Sequence, residues 1–216
     1  MLEECGLDFT GALMNIAILT FDGFNELDAF LLFGLLNRLK TQGWKAQIAS
    51  PAAQVTSMNG VTVVAQQPLE FANQADAVIF SSGIYHRAIA ENGALLDRLQ
   101  LDPLRQLIGA QCSGTLLLAR LGLLADMPAC TDQSTKPWLL EAGVRVVEAP
   151  FHARGPIATA GGCLAAQYLA TWMMASRAGF DATAQVLHQV APVGEKEVYV
   201  ERLLSVVKPF VDFDPR

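Results

Sequence analysis

A doubly wound α/β fold, with a mainly parallel sheet and helices on both faces, is predicted by three features of this 216-residue sequence. Short, continuously apolar runs alternate with longer runs at helical spacing, and a strand apolar throughout is one buried on both faces, as in a parallel sheet. Turn signals such as Asp22-Gly23 and Asn59-Gly60 separate the runs. Hydrophobic residues make up 52% of the chain against 17% charged, ample for one core and too apolar for a disordered protein. The length suits a single domain over residues 14–216, preceded by an N-terminal extension, residues 1–13.

The first strand is NIAILTF (15–21), whose pattern begins at Met14. After Glu26, residues Leu27, Phe30, Leu31, Leu35 and Leu39 recur at helical spacing until Gly43, completing a βα unit. KAQIAS (45–50) reads as the second strand, followed by a small hairpin in VTSMNGVTVV. DAVIF (76–80) is a further buried strand running into Ser81-Ser82-Gly83, and a helix is expected over 88–99. RQLIGAQ supplies the next strand. VRVVEA (144–149) and PIATA (156–160) read as two more, followed by helices over 164–178, 181–190 and 196–207.

A formal charge of -6 with only 15 Lys+Arg argues against a nucleic-acid surface, which needs clustered basic side chains to displace counterions. The opening MLEECGLDFTGAL is acidic where a signal peptide needs positive charge, and no run approaches the roughly twenty apolar residues of a membrane span. A soluble cytoplasmic protein is expected, without nucleic-acid or membrane partners. Cys5, Cys112, Cys130 and Cys163 are scattered, as are the three histidines, so free thiols are expected rather than a metal cage or a disulfide framework. No cofactor is expected.

In LIGAQCSGTLLLARLGLL (107–124) an apolar strand stops at Cys112 and a helix begins directly after it. A nucleophile held on such a sharp turn needs small residues two positions before and two after it, and Ala110 and Gly114 stand there. The helix that follows points its positive end at the sulfur, which is expected to favour thiolate. Cys130 and Cys163 read as space-filling thiols.

A nucleophile needs a partner to manage protons. FDGFNELDAF offers Asp22, Glu26 and Asp28, all near the end of the first strand. Asp28 stands in a mostly apolar helix start; an acid in a first turn also simply complements the helix dipole, and spacing does not separate the two readings. Beside Cys112, burial and a thiolate would raise the pKa of Asp28 and keep it a general acid. The amides of Gly83 and Ser113 are candidate oxyanion donors, with a plain turn at Ser82-Gly83 as the alternative. Tyr85 and His86 follow that turn and are candidates to line the pocket, His86 also as a Cys-His partner or merely a solvated side chain.

From Met14 to about Ala178 the sequence resembles the ThiJ/PfpI superfamily through NIAILTFDGFNELD, DAVIFSSG, IGAQCSGTLLLARLGLL and PIATAGGCLAAQYLA. It is similar to the branch holding isocyanide hydratases and the ligand-binding halves of AraC-type regulators. The resemblance implies a flavodoxin-like, class I glutamine amidotransferase-like fold with Cys112 as nucleophile, Asp28 as interacting acid, and Gly83 and Ser113 as oxyanion donors. Three departures bear on the pocket. Ser82 replaces the first glycine of a Gly-Gly pair, Leu31-Leu32 replaces Gly-Pro, and Asp132 replaces a common histidine, so Ser82, Ile84, His86 and Asp132 are the residues expected to shape it.

The leading expectation is a small-molecule enzyme that hydrates isocyanides to N-substituted formamides. Glyoxalase-like or deglycase-like chemistry is its sibling. A stress protein sensing oxidants through a sulfinic acid on Cys112, and a ligand-binding module, are readings of other classes. With no basic helix-turn-helix pattern in these 216 residues, direct DNA binding is not expected of them. The resemblance further implies a homodimer, for which Phe30, Leu32 and Phe33 are a candidate surface unless they are core.

Overall fold

The computed structural model describes residues 13–211. The predicted extension therefore lies, apart from Leu13, outside the described residues, as does Cys5.

The chain opens with β1 (Met14–Leu19), α1 (Glu26–Leu36) and β2 (Trp44–Ser50), the predicted βα unit and its second strand. The hairpin follows as β3 (Gln54–Thr56) and β4 (Thr62–Val64), with Gly60 at φ 90 in its turn, and a short β5 (Gln67–Pro68). Next come β6 (Ala77–Phe80), α2 (His86–Glu91), α3 (Gly93–Leu96), β7 (Leu107–Gln111) and α4 (Gly114–Arg120). The chain continues through α5 (Lys136–Glu141), β8 (Phe151–Arg154), β9 (Ile157–Ala160), α6 (Ala166–Val190) and α7 (Lys196–Val207).

Seven strands form one sheet in the order β5-β2-β1-β6-β7-β9-β8, parallel except for β8 on β9. Successive side chains of a strand point to opposite faces, and the core divides accordingly. Ile16 and Ile18 of β1 pack with Leu32 and Leu36 of α1 and Trp172 and Met173 of α6. Ala17 and Leu19 pack instead with Phe80, Ile108 and Leu116 to Leu118. Both faces of the sheet are covered, as the apolar strands predict.

Three expectations are corrected. VRVVEA is not a strand: Val146 makes a single bridge to Ala129, and the edge of the sheet is β8, paired with β9 across a turn at Gly155, φ 57. The helix expected over 88–99 breaks at Asn92, whose backbone leaves the helical path at φ -89 and ψ 82 while its side chain accepts the Leu95 N–H and caps α3. Leu32 is fully buried core rather than surface, while Leu27 and Phe30 stay 50% and 38% exposed on the other side of α1. The helices expected over 164–178 and 181–190 are the two arms of α6, which break where expected, at Gly179, φ 82 and ψ 168. No helix among the described residues is long and apolar enough to cross a membrane.

Candidate functional site

After β1 the chain crosses to β2 on one side and later returns to β6 on the other, so the crevice of a doubly wound sheet lies between β1 and β6. The segments leaving the ends of β1, β6, β7 and β9 meet there, each bringing one part of the site.

From β7 comes Cys112, at φ 47, a left-handed conformation uncommon outside glycine and Asn. Its N–H donates to the Ala160 carbonyl at 2.8 Å, and its own carbonyl accepts Thr131 Oγ1 at 2.8 Å, so neighbouring segments hold the strained turn. Gly114 is required beneath it: a Cβ there would stand 2.5 Å from the Phe80 carbonyl oxygen. The segment after β1 contributes α1, whose cap Asn25 accepts the Leu27 N–H at 3.0 Å. Capping starts the helix so that Asp28, in its first turn, faces inward and is fully buried. Ser82, after β6, donates a hydrogen bond to Asp28 Oδ2, while Oδ1 has no hydrogen-bond partner among the described residues. Cys163, after β9, is half-buried and accepts an N–H from Asn25 Nδ2 at 3.2 Å.

The ligating atoms of Asp28, Cys112 and Cys163 all lie within 4.8 Å of one another. Two sulfurs and a carboxylate are also atom types that a soft metal ion takes. Asp28 and Cys112 thus meet, and Cys163 joins them rather than filling space elsewhere. Cys130 is fully buried and apart from them, its thiol pushed up to about 11 chiefly by burial.

Burial raises the Asp28 pKa from 3.8 to about 6, against the opposing hydrogen bond from Ser82, and the charge of Asp132 adds to the rise. For Cys112 the thiolate expectation is corrected. Burial, with the negative charge of Asp28 as its next contributor, pushes the thiol well above the ordinary cysteine range. The amide Gln111 Nε2, which donates to the sulfur at 3.3 Å, opposes this only weakly. At neutral pH the pair therefore holds one proton, on sulfur, beside a carboxylate.

Above the sulfur lies a cavity of about 410 Å³ lined by Cys112, Cys163, Ser82, Asp132 and the apolar Met58, Ile84 and Trp138, among others. Of the four residues expected to shape the pocket, Ser82, Ile84 and Asp132 line this cavity and His86 does not. It is 1% exposed, its Nδ1 donating to the Gly83 carbonyl at 2.9 Å and its Nε2 unpartnered, and burial lowers its pKa to about 4. Tyr85 is 54% exposed and also lies off the cavity. The Gly83 N–H, a predicted oxyanion donor, is occupied by Ser113 Oγ at 3.0 Å. The Ser113 N–H makes no hydrogen bond among the described residues. Asp132 is held as a cap, accepting the N–H groups of Ser134 and Thr135 at 2.9 and 3.0 Å. Sequence reading missed Cys163, Asn25, Met58 and Trp138; the Gly161-Gly162 turn directly after a strand was a signal for the first. A larger groove of about 1110 Å³ between α6 and α7, lined by Phe180, Val200 and Leu204, holds none of these residues.

A doubly wound sheet with a strained cysteine at its switch point is the class this geometry defines. The chain belongs to the DJ-1/PfpI family, whose sequence pattern matches residues 14–176. Similar solved structures include the VC2308 protein, 20% identical over 88% of this chain and 98% of that one at a TM-score of 0.74. A ThiJ/PfpI family protein from Pseudomonas syringae is 19% identical over 99% and 98% at 0.72. Drosophila melanogaster DJ-1beta is 20% identical over 83% and 98% at 0.68. No curated protein sequence matches the chain.

Proposed function

We propose that this protein is a cysteine-dependent enzyme acting on a small electrophile, with an isocyanide as substrate and an N-substituted formamide as product. The observation that carries the reading is the Cys112 sulfur on the lining of a small, partly apolar cavity with the buried Asp28 carboxylate within 4.8 Å behind it. The Cys112 sulfur attacks the terminal isocyanide carbon while its proton passes to Asp28, and Asp28 returns that proton to the same carbon, leaving a thioimidate. Water then adds to this carbon, the nitrogen takes a proton, and the C–S bond breaks to release the formamide and the free thiol. Ser113 N–H is the amide available to a developing negative charge. Met58, Ile84 and Trp138 suit the organic group of the substrate.

The test is formamide production by the purified protein and by Cys112→Ser across several isocyanides. Turnover by the wild type and none by the variant is expected. No turnover by the wild type overturns the substrate assignment, and α-oxoaldehydes in the same panel decide the sibling reading. A stress role, with Cys112 oxidised and Asp28 Oδ1 meeting the new oxygen, is favoured by that oxygen of Asp28 having no present partner. A homodimer through exposed Leu27 and Phe30 of α1 belongs to the same reading, and light scattering in solution tests it.

A further inference from the structure

We infer that Cys112 and Cys163 form a reversible disulfide when a hydroperoxide reaches the site, with Cys163 as the resolving thiol. This rests on the proposed function only in taking Cys112 as the reactive sulfur, and it is independent of the substrate.

Three observations carry it. The two sulfurs lie within 4.8 Å and line the same cavity, so closing to a bond of about 2.05 Å needs a movement of at most about 2.7 Å. Each sulfur already accepts an amide N–H, Cys112 from Gln111 at 3.3 Å and Cys163 from Asn25 at 3.2 Å, so side chains of the site already orient both toward the shared cavity. Cys163 also follows Gly162, at φ 88 with open space where a Cβ would stand, a backbone joint at which the half-buried residue can turn toward its partner. Cys112, clamped at both its N–H and its carbonyl, is the fixed member.

The chemistry balances with the hydroperoxide as oxidant. Asp28 accepts the Cys112 proton, the sulfur attacks the outer peroxide oxygen, the O–O bond breaks, and the alkoxide or hydroxide leaves with that proton as alcohol or water. Cys112 is now a sulfenic acid. The Cys163 sulfur attacks it, the S–O bond breaks, and the departing hydroxide takes the Cys163 proton as a second water. A neighbouring thiol diverts the sulfenic acid before a second oxidation makes it a sulfinic acid. A thiol reductant restores both cysteines.

The experiment is intact-mass and peptide analysis of reduced wild-type protein after about one equivalent of hydrogen peroxide. A loss of about two mass units, a fall from four free thiols to two, and a peptide pair joining Cys112 to Cys163 are expected, all reversed by dithiothreitol. In Cys163→Ser and Cys163→Ala treated with about two equivalents, one for each oxygen, the expected product is a dithiothreitol-resistant gain of two oxygens on Cys112. Oxygen retained on wild-type Cys112 with Cys163 still alkylatable, a bridge to any other cysteine, or no reaction overturns the inference. Formamide production assayed on the reduced protein keeps the two claims apart. Disulfide without turnover sinks the isocyanide reading alone, and turnover without disulfide sinks this one alone.

Discussion

Asp28 is the residue on which the chemistry depends most, because its ordinary partner in a helix first turn is the helix dipole and here burial has redirected it. With the pKa at about 6, the carboxylate is available to take the Cys112 proton only above that value. The rate kcat/KM for an isocyanide is therefore expected to rise with pH through about 6 and then level off. In Asp28→Asn that limb should vanish and the rate should fall by about 10² to 10⁴, the usual worth of a positioned proton carrier. An unchanged limb in the variant would assign the titration to another group. The sequence already brought Asp28 and Cys112 forward, since both sit where strand ends become helix starts. It did not separate a buried acid from a solvated one, because one turn of a helix carries residues to both sides and only the packing of Ser82 and Asn25 decides which side is closed. Cys163 was half legible for a similar reason: Gly161-Gly162 marks a turn at a strand end, but nothing local says that this turn delivers the thiol to another sulfur rather than to the core.

The elbow between β7 and α4 is the element where strain, packing and chemistry meet. Gly114 brings the first turn of α4 against the backbone of β6, and an added methyl would collide with the carbonyl oxygens of Phe80 and Ser81 at 2.5 and 2.8 Å. Neither is a flexible side-chain end, so backbone must move. Gly114→Ala is expected to cost about 1 to 3 kcal/mol in denaturant unfolding. It should also lower turnover about 10²-fold, because the sulfur moves with the turn. Full activity and stability in that variant would show that the elbow tolerates a wider gap. The same element explains what was legible. Continuous apolar strands flanked by glycine were read correctly for β1, β2, β6, β7 and β9, since each is buried on both faces. VRVVEA carried a similar pattern and failed, for its backbone reaches only the single residue Ala129, through Arg145 and Val147, and a turn to Leu139, while the neighbouring edge position is taken by β8.

Over the whole molecule, two buried titratable groups oppose each other in acid. Asp28 has its pKa raised from 3.8 to about 6, so it favours the fold fully below about pH 4 and loses that contribution as pH rises through about 6. His86 is lowered from 6.5 to about 4, so it favours the fold fully above about pH 6.5 and loses that contribution as pH falls toward 4. Each is worth about 3 kcal/mol at about 1.4 kcal/mol per pKa unit. Between about pH 4 and 6 the native state binds one proton more than the unfolded chain at Asp28 and one fewer at His86, so the two slopes cancel. Asp28→Asn removes one of them. Relative to the wild type it should be more stable by about 3 kcal/mol at pH 7, with the gain shrinking by about 1.4 kcal/mol per pH unit below pH 6 and gone near pH 4. Urea unfolding of both proteins at pH 4, 5, 6 and 7 measures this, and taking the difference removes the exposed carboxylates common to both. A difference independent of pH would mean that Asp28 ionises in the folded protein as it does in the open chain. A difference that closes toward acid would mean that the fold tolerates an ionised, desolvated carboxylate at neutral pH, a cost in stability that keeps a proton acceptor beside the Cys112 sulfur.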